Sequence, residues 1–187
     1  MKTALLILIL FTSCKQQRTE EVSVKPVEGT TQRTASKVAY IDERRVIQTG
    51  NTTPQELLAF AKTLIGIPYK YGSTDPAQGF DCSGFITYVF NHFKIAVPRT
   101  SVSFTNVERE IALEEAQPGD IILFTGTDYT TGVVGHMGII TSTDNKDYQF
   151  IHSSSGKAKG VIISSFSEYY RKRFVKVIRV FRQNNIN

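Results

Sequence analysis

Cys82 stands in the run Asp81-Cys82-Ser83-Gly84-Phe85, where a loop carrying Gly72 and Gly79 gives way to a helical apolar pattern of Phe85, Ile86, Val89, Phe90 and Phe93. A thiol attacks a carbonyl as thiolate, and the first turn of a helix favours that anion through free backbone N–H groups and the macrodipole. The same N–H groups could help to hold an oxyanion. A buried structural cysteine is the other reading of this position. The chain has three histidines, His92, His136 and His152. His136 opens one expected strand and His152 closes the next, so adjacent antiparallel strands could pair them as a base and the group that orients it. His92 falls on the helix after Cys82 and reads as solvent-facing.

The elements that must position these groups follow from the pattern. Thr53-Pro54-Gln55-Glu56 combines an N-cap, a proline for the first turn and a capping-box glutamate. Leu57, Leu58, Ala61, Leu64 and Ile65 then repeat at helical spacing until Gly66 and Pro68 stop the helix. Beyond Pro98 the runs are short and β-like: 121–124 after the turn Pro118-Gly119-Asp120, then 136–141, 148–152, 161–164 and 174–181, with a short helix near 167–172. Helices followed by a meandering antiparallel sheet make an α+β fold.

Composition narrows the class. Of 187 residues, 41% are hydrophobic and 21% charged, a globular profile. The formal charge of +5 is scattered and densest at Arg171-Lys172-Arg173. Without a continuous basic stripe interleaved with aromatics, nucleic acid is not an expected partner. A mildly basic surface suits an acidic polymer or a membrane surface, or is simply a solvated face.

Residues 1–13 have the build of an export signal. Lys2 precedes an apolar run from Ala4 to Phe11, too short for the ~20 residues that span a bilayer. Phe11-Thr12-Ser13 leads into Cys14, a pattern that resembles a lipoprotein signal and implies that Cys14 carries the lipid at the start of the mature protein. Lys15 after that cysteine, rather than Asp, favours the outer membrane, facing the periplasm. Residues 14–50 are polar and read as a flexible tether of roughly 30–36 Å average reach, and 51–187 as the folded domain. With Cys14 lipidated, Cys82 is the one remaining cysteine of an exported chain, where thiols tend to oxidise, and catalysis is a reason to keep it.

Six segments in order then carry a resemblance: Tyr69-Lys70-Tyr71-Gly72, 81–85, Pro98-Arg99-Thr100-Ser101, Pro118-Gly119-Asp120, Gly135-His136-Met137-Gly138-Ile139 and Phe150-Ile151-His152. Together they resemble the NlpC family of bacterial cell-wall cysteine peptidases over residues 52–182, with an ending closest to the Spr (MepS) type of murein endopeptidase lipoprotein. The resemblance implies a papain-like fold with the cysteine-bearing helix packed on a sheet that carries both histidines. It implies Cys82 as nucleophile, His136 as general base, His152 as its orienting partner, Tyr69 near the oxyanion, and Asp81, Ser83 and Ser101 as substrate contacts. No metal or organic cofactor is implied. The implied substrates are peptidoglycan stem peptides, cut at the D-alanine–meso-diaminopimelate crosslink; the γ-D-glutamyl–diamino acid bond and a non-catalytic wall-binding module are the alternatives. Ser73 after Gly72, a longer loop from Tyr69 to Cys82 and a lengthened 141–147 segment depart from the family pattern at the edges of the cleft.

Overall fold

A computed structural model describes residues 45–182; the expected signal, Cys14 and most of the expected tether lie outside them. Helix α1, Pro54–Thr63, starts where the capping box placed it: the Thr53 hydroxyl accepts from the Glu56 N–H at 3.2 Å and the Glu56 carboxylate accepts from the Thr53 N–H at 2.9 Å. Leu57, Leu58 and Ala61 are buried. Ile65, assigned to the same apolar face, is 49% exposed, because the chain leaves the helix and turns through Gly66 at φ +92°. Within residues 45–49, grouped with the tether by their polarity, Ile47 and Thr49 are buried instead. Ile47 joins the core, and its N–H donates to the Glu108 carboxylate.

After α1 come a two-residue hairpin, β1 (Thr74–Asp75) with β2 (Gly79–Phe80), and helix α2, Cys82–His92. The remaining strands are β3 (Arg109–Ile111), β4 (Ile121–Thr125), β5 (Val134–Ser142), β6 (Gln149–Ser154), β7 (Gly160–Ser165) and, after the one-turn helix α3 (Glu168–Arg171), β8 (Phe174–Arg179). They form one antiparallel sheet in the order β3-β8-β4-β5-β6-β7.

Alternation along the strands gives this sheet two apolar faces. Ile121, Leu123, Met137, Ile139, Ile151 and Ile178 join the helical core with Phe85, Ile86 and Phe90. Ile122, Phe124, Ile140, Phe150 and Val177 gather on Phe166 in a second cluster. Burial on both sides is why β4 reads as an uninterrupted apolar run rather than an alternating one. At one end of the strands, the buried Asp120 pairs with the buried Arg179 at 3.1 Å and accepts from the Gln117 N–H, tying the start of β4 to the end of β8.

One contact seats α2 against the loop before it. A Cβ added at Gly84 would lie 2.0 Å from the carbonyl oxygen of Ser73. Alanine favours a helix interior by about 1 kcal/mol over glycine, but overpacking costs typically 1–3 kcal/mol and here would push on backbone. Gly84→Ala is therefore expected to lower stability, read as a reduced urea midpoint with unchanged slope. A raised midpoint would show that the loop yields freely.

Candidate active site

Cys82 is the first residue of α2, and Asp81 caps the helix by accepting from the Gly84 N–H. The same carboxylate accepts from the Ser83 hydroxyl at 3.1 Å and takes both terminal nitrogens of Arg99, at 2.9 and 3.2 Å. Arg99 also donates to the Ser83 hydroxyl at 3.0 Å. Burial acts to raise the Asp81 pKa, but the Arg99, Gly84 and Ser83 bonds outweigh it and hold the carboxyl below its usual value. Asp81 is thus an anion beside the thiol.

The thiol sits against β5. Its Sγ lies 3.8 Å from the carbonyl oxygen of Gly135, and the Met137 N–H points at it, so the sulfur straddles the residue between them, His136. Burial first, and the Asp81 charge second, push the Cys82 thiol up to about 11. The N–H groups of Ser83, Cys82 and Met137 work the other way and are outweighed. The helix start was expected to lower this pKa. The structure reverses that, because burial of the thiol, and then the negative charge of the capping Asp81, outweigh the N–H groups.

His136 and His152 lie on neighbouring strands. Ile139 pairs with Ile151, so one residue further Gly138 stands beside His152 and His136 sits diagonally across from it on the same face. A Cβ at Gly138 would come within 2.6 Å of the Phe150 ring and 3.3 Å of the His152 Cβ. The missing side chain makes room for the two imidazoles to meet. His136 Nε2 is 2.8 Å from His152 Nδ1, with the rings nearly perpendicular at 79°. His152 Nε2 is 3.0 Å from the Ser164 hydroxyl on β7 and 3.4 Å from the Tyr170 hydroxyl. Both rings lie among aromatics of the second cluster: His136 stacks with Phe124, and His152 meets Phe150 and Tyr170. The histidines therefore occupy the sheet face opposite the helical core, and the thiol meets β5 at the backbone on either side of His136, with which it shares a cavity.

Since Nε2 of His136 is engaged, Nδ1 is the nitrogen open to a thiol proton. For Nδ1 to accept, Nε2 must carry hydrogen and donate to His152 Nδ1. His152 then holds its hydrogen on Nε2 and donates to Ser164. One tautomer chain satisfies the contacts from His136 through His152 to Ser164. Burial and the Arg173 charge pull His136 down to about 4, and burial and His136 lower His152. At neutral pH the site holds a neutral thiol and neutral imidazoles.

Cys82, His136 and Tyr69 line one cavity of about 740 Å³. His152 is fully buried behind His136. Burial, then the neighbouring Cys82 and Asp81, raise the Tyr69 phenol, so it stays an O–H donor. Asp81, Ser83 and Ser101 do not line this cavity. The first two spend their polar atoms on the helix start, and half-buried Ser101 opens a 3-10 turn, Ser101–Phe104. His92 is exposed and stacks on Phe60 at 3.6 Å. Sequence reasoning missed Arg99, Ser164, Tyr170 and Arg173 as members of the site. Pro98-Arg99 stood inside a recognised segment, whereas Ser164, Tyr170 and Arg173 arrive only through strand pairing and the α3 turn.

A family model described as the NlpC/P60 family matches residues 66–179. The chain belongs to the NlpC/P60 family. The expected papain-like α+β architecture, with the cysteine-bearing helix packed on an antiparallel sheet, is that of NlpC/P60 proteins of known structure. One from Staphylococcus aureus, described as similar to lipoprotein, superposes with a TM-score of 0.60 at 28% identity, over 71% of this chain and 43% of that one. Among relatives, the chain is 35% identical over 143 residues to a gamma-DL-glutamyl hydrolase of Bacillus subtilis, covering 76% of this chain and 33% of that protein. It is 34% identical over 117 residues to the probable endopeptidase NlpC of Escherichia coli, covering 62% of this chain and 70% of that protein. The chain thus spans about a third of the Bacillus relative and most of the Escherichia one.

Two measurements check the neutral resting site. With the thiol near 11, the rate of Cys82 alkylation by iodoacetamide is expected to rise about tenfold per pH unit between 7 and 9; a plateau reached below pH 7 would mean a preformed thiolate–imidazolium pair. Stability should fall on the acid side. An imidazole depressed to about 4 binds no proton between there and 6.5, where the unfolded chain does, so stability is full above 6.5 and is lost as pH falls towards 4. For His136 the loss is on the order of 3 kcal/mol, read from urea midpoints at pH 7 and 4.5. His136→Asn should remove its own share of that limb and leave the share of buried His152, and a flat limb in the unaltered protein would refute the reading.

Proposed function

We propose that this protein hydrolyses an amide bond of peptidoglycan stem peptides, with Cys82 as nucleophile and His136 as its base. The observation that carries the reading is the thiol lodged at Gly135–Met137, beside an imidazole whose other nitrogen is committed to His152. His136 Nδ1 takes the Sγ proton as sulfur bonds to the scissile carbonyl carbon. The oxyanion is met by the neutral Tyr69 hydroxyl and the N–H groups of the α2 start. Collapse of the adduct breaks the C–N bond, and the amine leaves with the proton from His136. Water, giving its proton to His136, then attacks the thioester, and the acid leaves as the thiol recovers its hydrogen. His152 accepts from His136 throughout and stabilises the imidazolium while it exists. Ser164 fixes the tautomer of His152.

Two bonds have separate support. The name of the Bacillus subtilis relative favours the γ-D-glutamyl–diamino acid bond, and this is the first reading. The resemblance of the chain's ending to the Spr type favours the D-alanine–meso-diaminopimelate crosslink. A catalytic role is favoured over a purely binding one by the chain of contacts from His136 through His152 to Ser164, which has a use in moving a proton and none in holding a ligand. Lipidation at Cys14 and attachment to the outer membrane, facing the periplasm, belong to the same proposal and rest on residues 1–15.

Digestion of purified sacculi by the full chain, with products identified by mass, tests the assignment. Stems shortened to L-alanyl-D-glutamate on the glycan are expected for the first bond, and conversion of dimers to intact monomers for the second. Cys82→Ala should lower the rate at least a thousandfold, and His152→Ala by a smaller factor, because it removes an orienting partner rather than the nucleophile. Undiminished hydrolysis by Cys82→Ala would end the proposal.

A further inference from the structure

The loop between β4 and β5 presents an aromatic side chain that the reaction at Cys82 does not use. Tyr129 is 60% exposed, yet its loop is braced from within. The Asp128 carboxylate accepts from the Thr130 N–H at 2.9 Å and from the Thr130 hydroxyl at 2.6 Å, and the Thr131 hydroxyl donates to the Asp128 carbonyl oxygen at 3.2 Å. Tyr169, on α3, is 59% exposed and also held. The Arg173 guanidinium lies over its ring, 4.8 Å from the centroid, and the Tyr170 ring stands nearly perpendicular to it at 5.1 Å. The two tyrosines line a second cavity of about 540 Å³, together with Glu168 and Lys172. This cavity shares Thr127, Tyr169 and Arg173 with the one around Cys82, so the two adjoin.

The polar groups of this second cavity are largely engaged with one another. Glu168 and Lys172 pair at 2.9 Å, and the terminal nitrogens of Arg173 donate to the Tyr169 hydroxyl and the Gly126 carbonyl oxygen. An acidic ligand would meet Glu168 as a like charge. What suits the cavity is a neutral ring, with C–H groups for the tyrosine faces and with hydroxyl and amide groups for the carboxylate and the ammonium. Tyrosine offers an apolar body and a polar tip at a low cost in side-chain entropy. We propose that this cavity is a subsite for an N-acetylated amino sugar of the glycan strand to which a stem peptide is attached, packed on Tyr129 and Tyr169. The inference rests on the reading of Cys82 as a stem-peptide hydrolase and adds a part of the substrate that carries no scissile bond. Two amino-acid residues separate the sugar's lactyl group from the γ-D-glutamyl bond, roughly 7 Å of extended chain plus the length of the γ-link. A sugar on a stem that lies in the first cavity therefore falls within reach of the adjoining one. Contacts made there, away from the reacting atoms, hold the stem in register for Cys82.

The test compares two substrates that differ only in the sugar. One is L-alanyl-γ-D-glutamyl-diaminopimelate attached through its alanine to the disaccharide of N-acetylglucosamine and N-acetylmuramic acid; the other is the same tripeptide with a plain acetyl group on that alanine. The unaltered full chain is expected to prefer the sugar-bearing substrate at least tenfold in kcat/KM, chiefly through KM. Tyr129→Ala should bring that ratio near one, and Tyr129→Phe, which keeps the ring, should retain most of it. A merely structural role would lower both substrates alike and leave the ratio standing, which would overturn the proposal, as would no preference in the unaltered protein. Vesicles of anionic phospholipid supply a further arm. Vesicle binding that is lost in Tyr129→Ala while the substrate ratio stands would assign the tyrosines to a membrane surface and overturn the sugar subsite. If neither substrate is cleaved, calorimetric titration of Cys82→Ala separates the two readings. Tighter binding of the sugar-bearing substrate, lost in Cys82→Ala/Tyr129→Ala, supports the subsite while the hydrolase reading fails. Equal binding of both substrates sinks the subsite.

Discussion

The carboxylate of Asp81 is the interaction on which the site depends. It begins α2 by capping it, gathers Ser83 into the first turn, and takes Arg99 from the segment that follows the helix. These contacts fix where the helix starts, and so where the Sγ of its first residue can be. The Arg99–Asp81 pair is partly solvated, with the arginine side chain 40% exposed, so its value lies in orientation more than in stability. The same carboxylate carries an electrostatic consequence. Placed next to the thiol, it cancels part of what the helix start offers to an anion, and the thiol remains protonated.

The sheet completes the site from the other side. Pairing of β5 with β6 sets the two imidazoles diagonally, and pairing of β6 with β7 brings Ser164 behind them. Each contact from His136 to Ser164 crosses to a neighbouring strand, β5 to β6 and β6 to β7. A slip of one residue in any of these ladders would send a histidine to the opposite face. The apolar contacts on both faces that hold the register therefore help to place the site, and Phe124 and Phe150 do so in direct contact with the two imidazoles.

Much of this was legible before any coordinates. The capping box of α1, the helix beginning at Cys82 and the strands around His136 and His152 follow from local spacing, because caps and periodicity are set by near neighbours. What escaped depends on residues far apart in the chain. The strands β1, β2 and β3 have two or three residues each, too few for a period to show. Ile65 continues the helical spacing but lies beyond the last turn. The upward shift of Cys82 comes from burial, which no local pattern reports, and from a capping residue that was read only as a substrate contact. Arg173 was noticed as part of a basic run and not as a wall of the cavity, because its partners, Gly126 and Tyr169, are joined to it by the β4 end and by α3.

A thiol held near 11 has a consequence for endurance. At neutral pH only about one molecule in ten thousand carries a thiolate, and peroxides and disulfides react with thiolates. Small oxidants that approach the cavity find a weak target. In the proposed reaction an amide aligned with His136 would find a strong one, the proton leaving the sulfur as the bond forms. Reactivity would then be released by geometry rather than stored in a charge, and chemoselectivity would come with it.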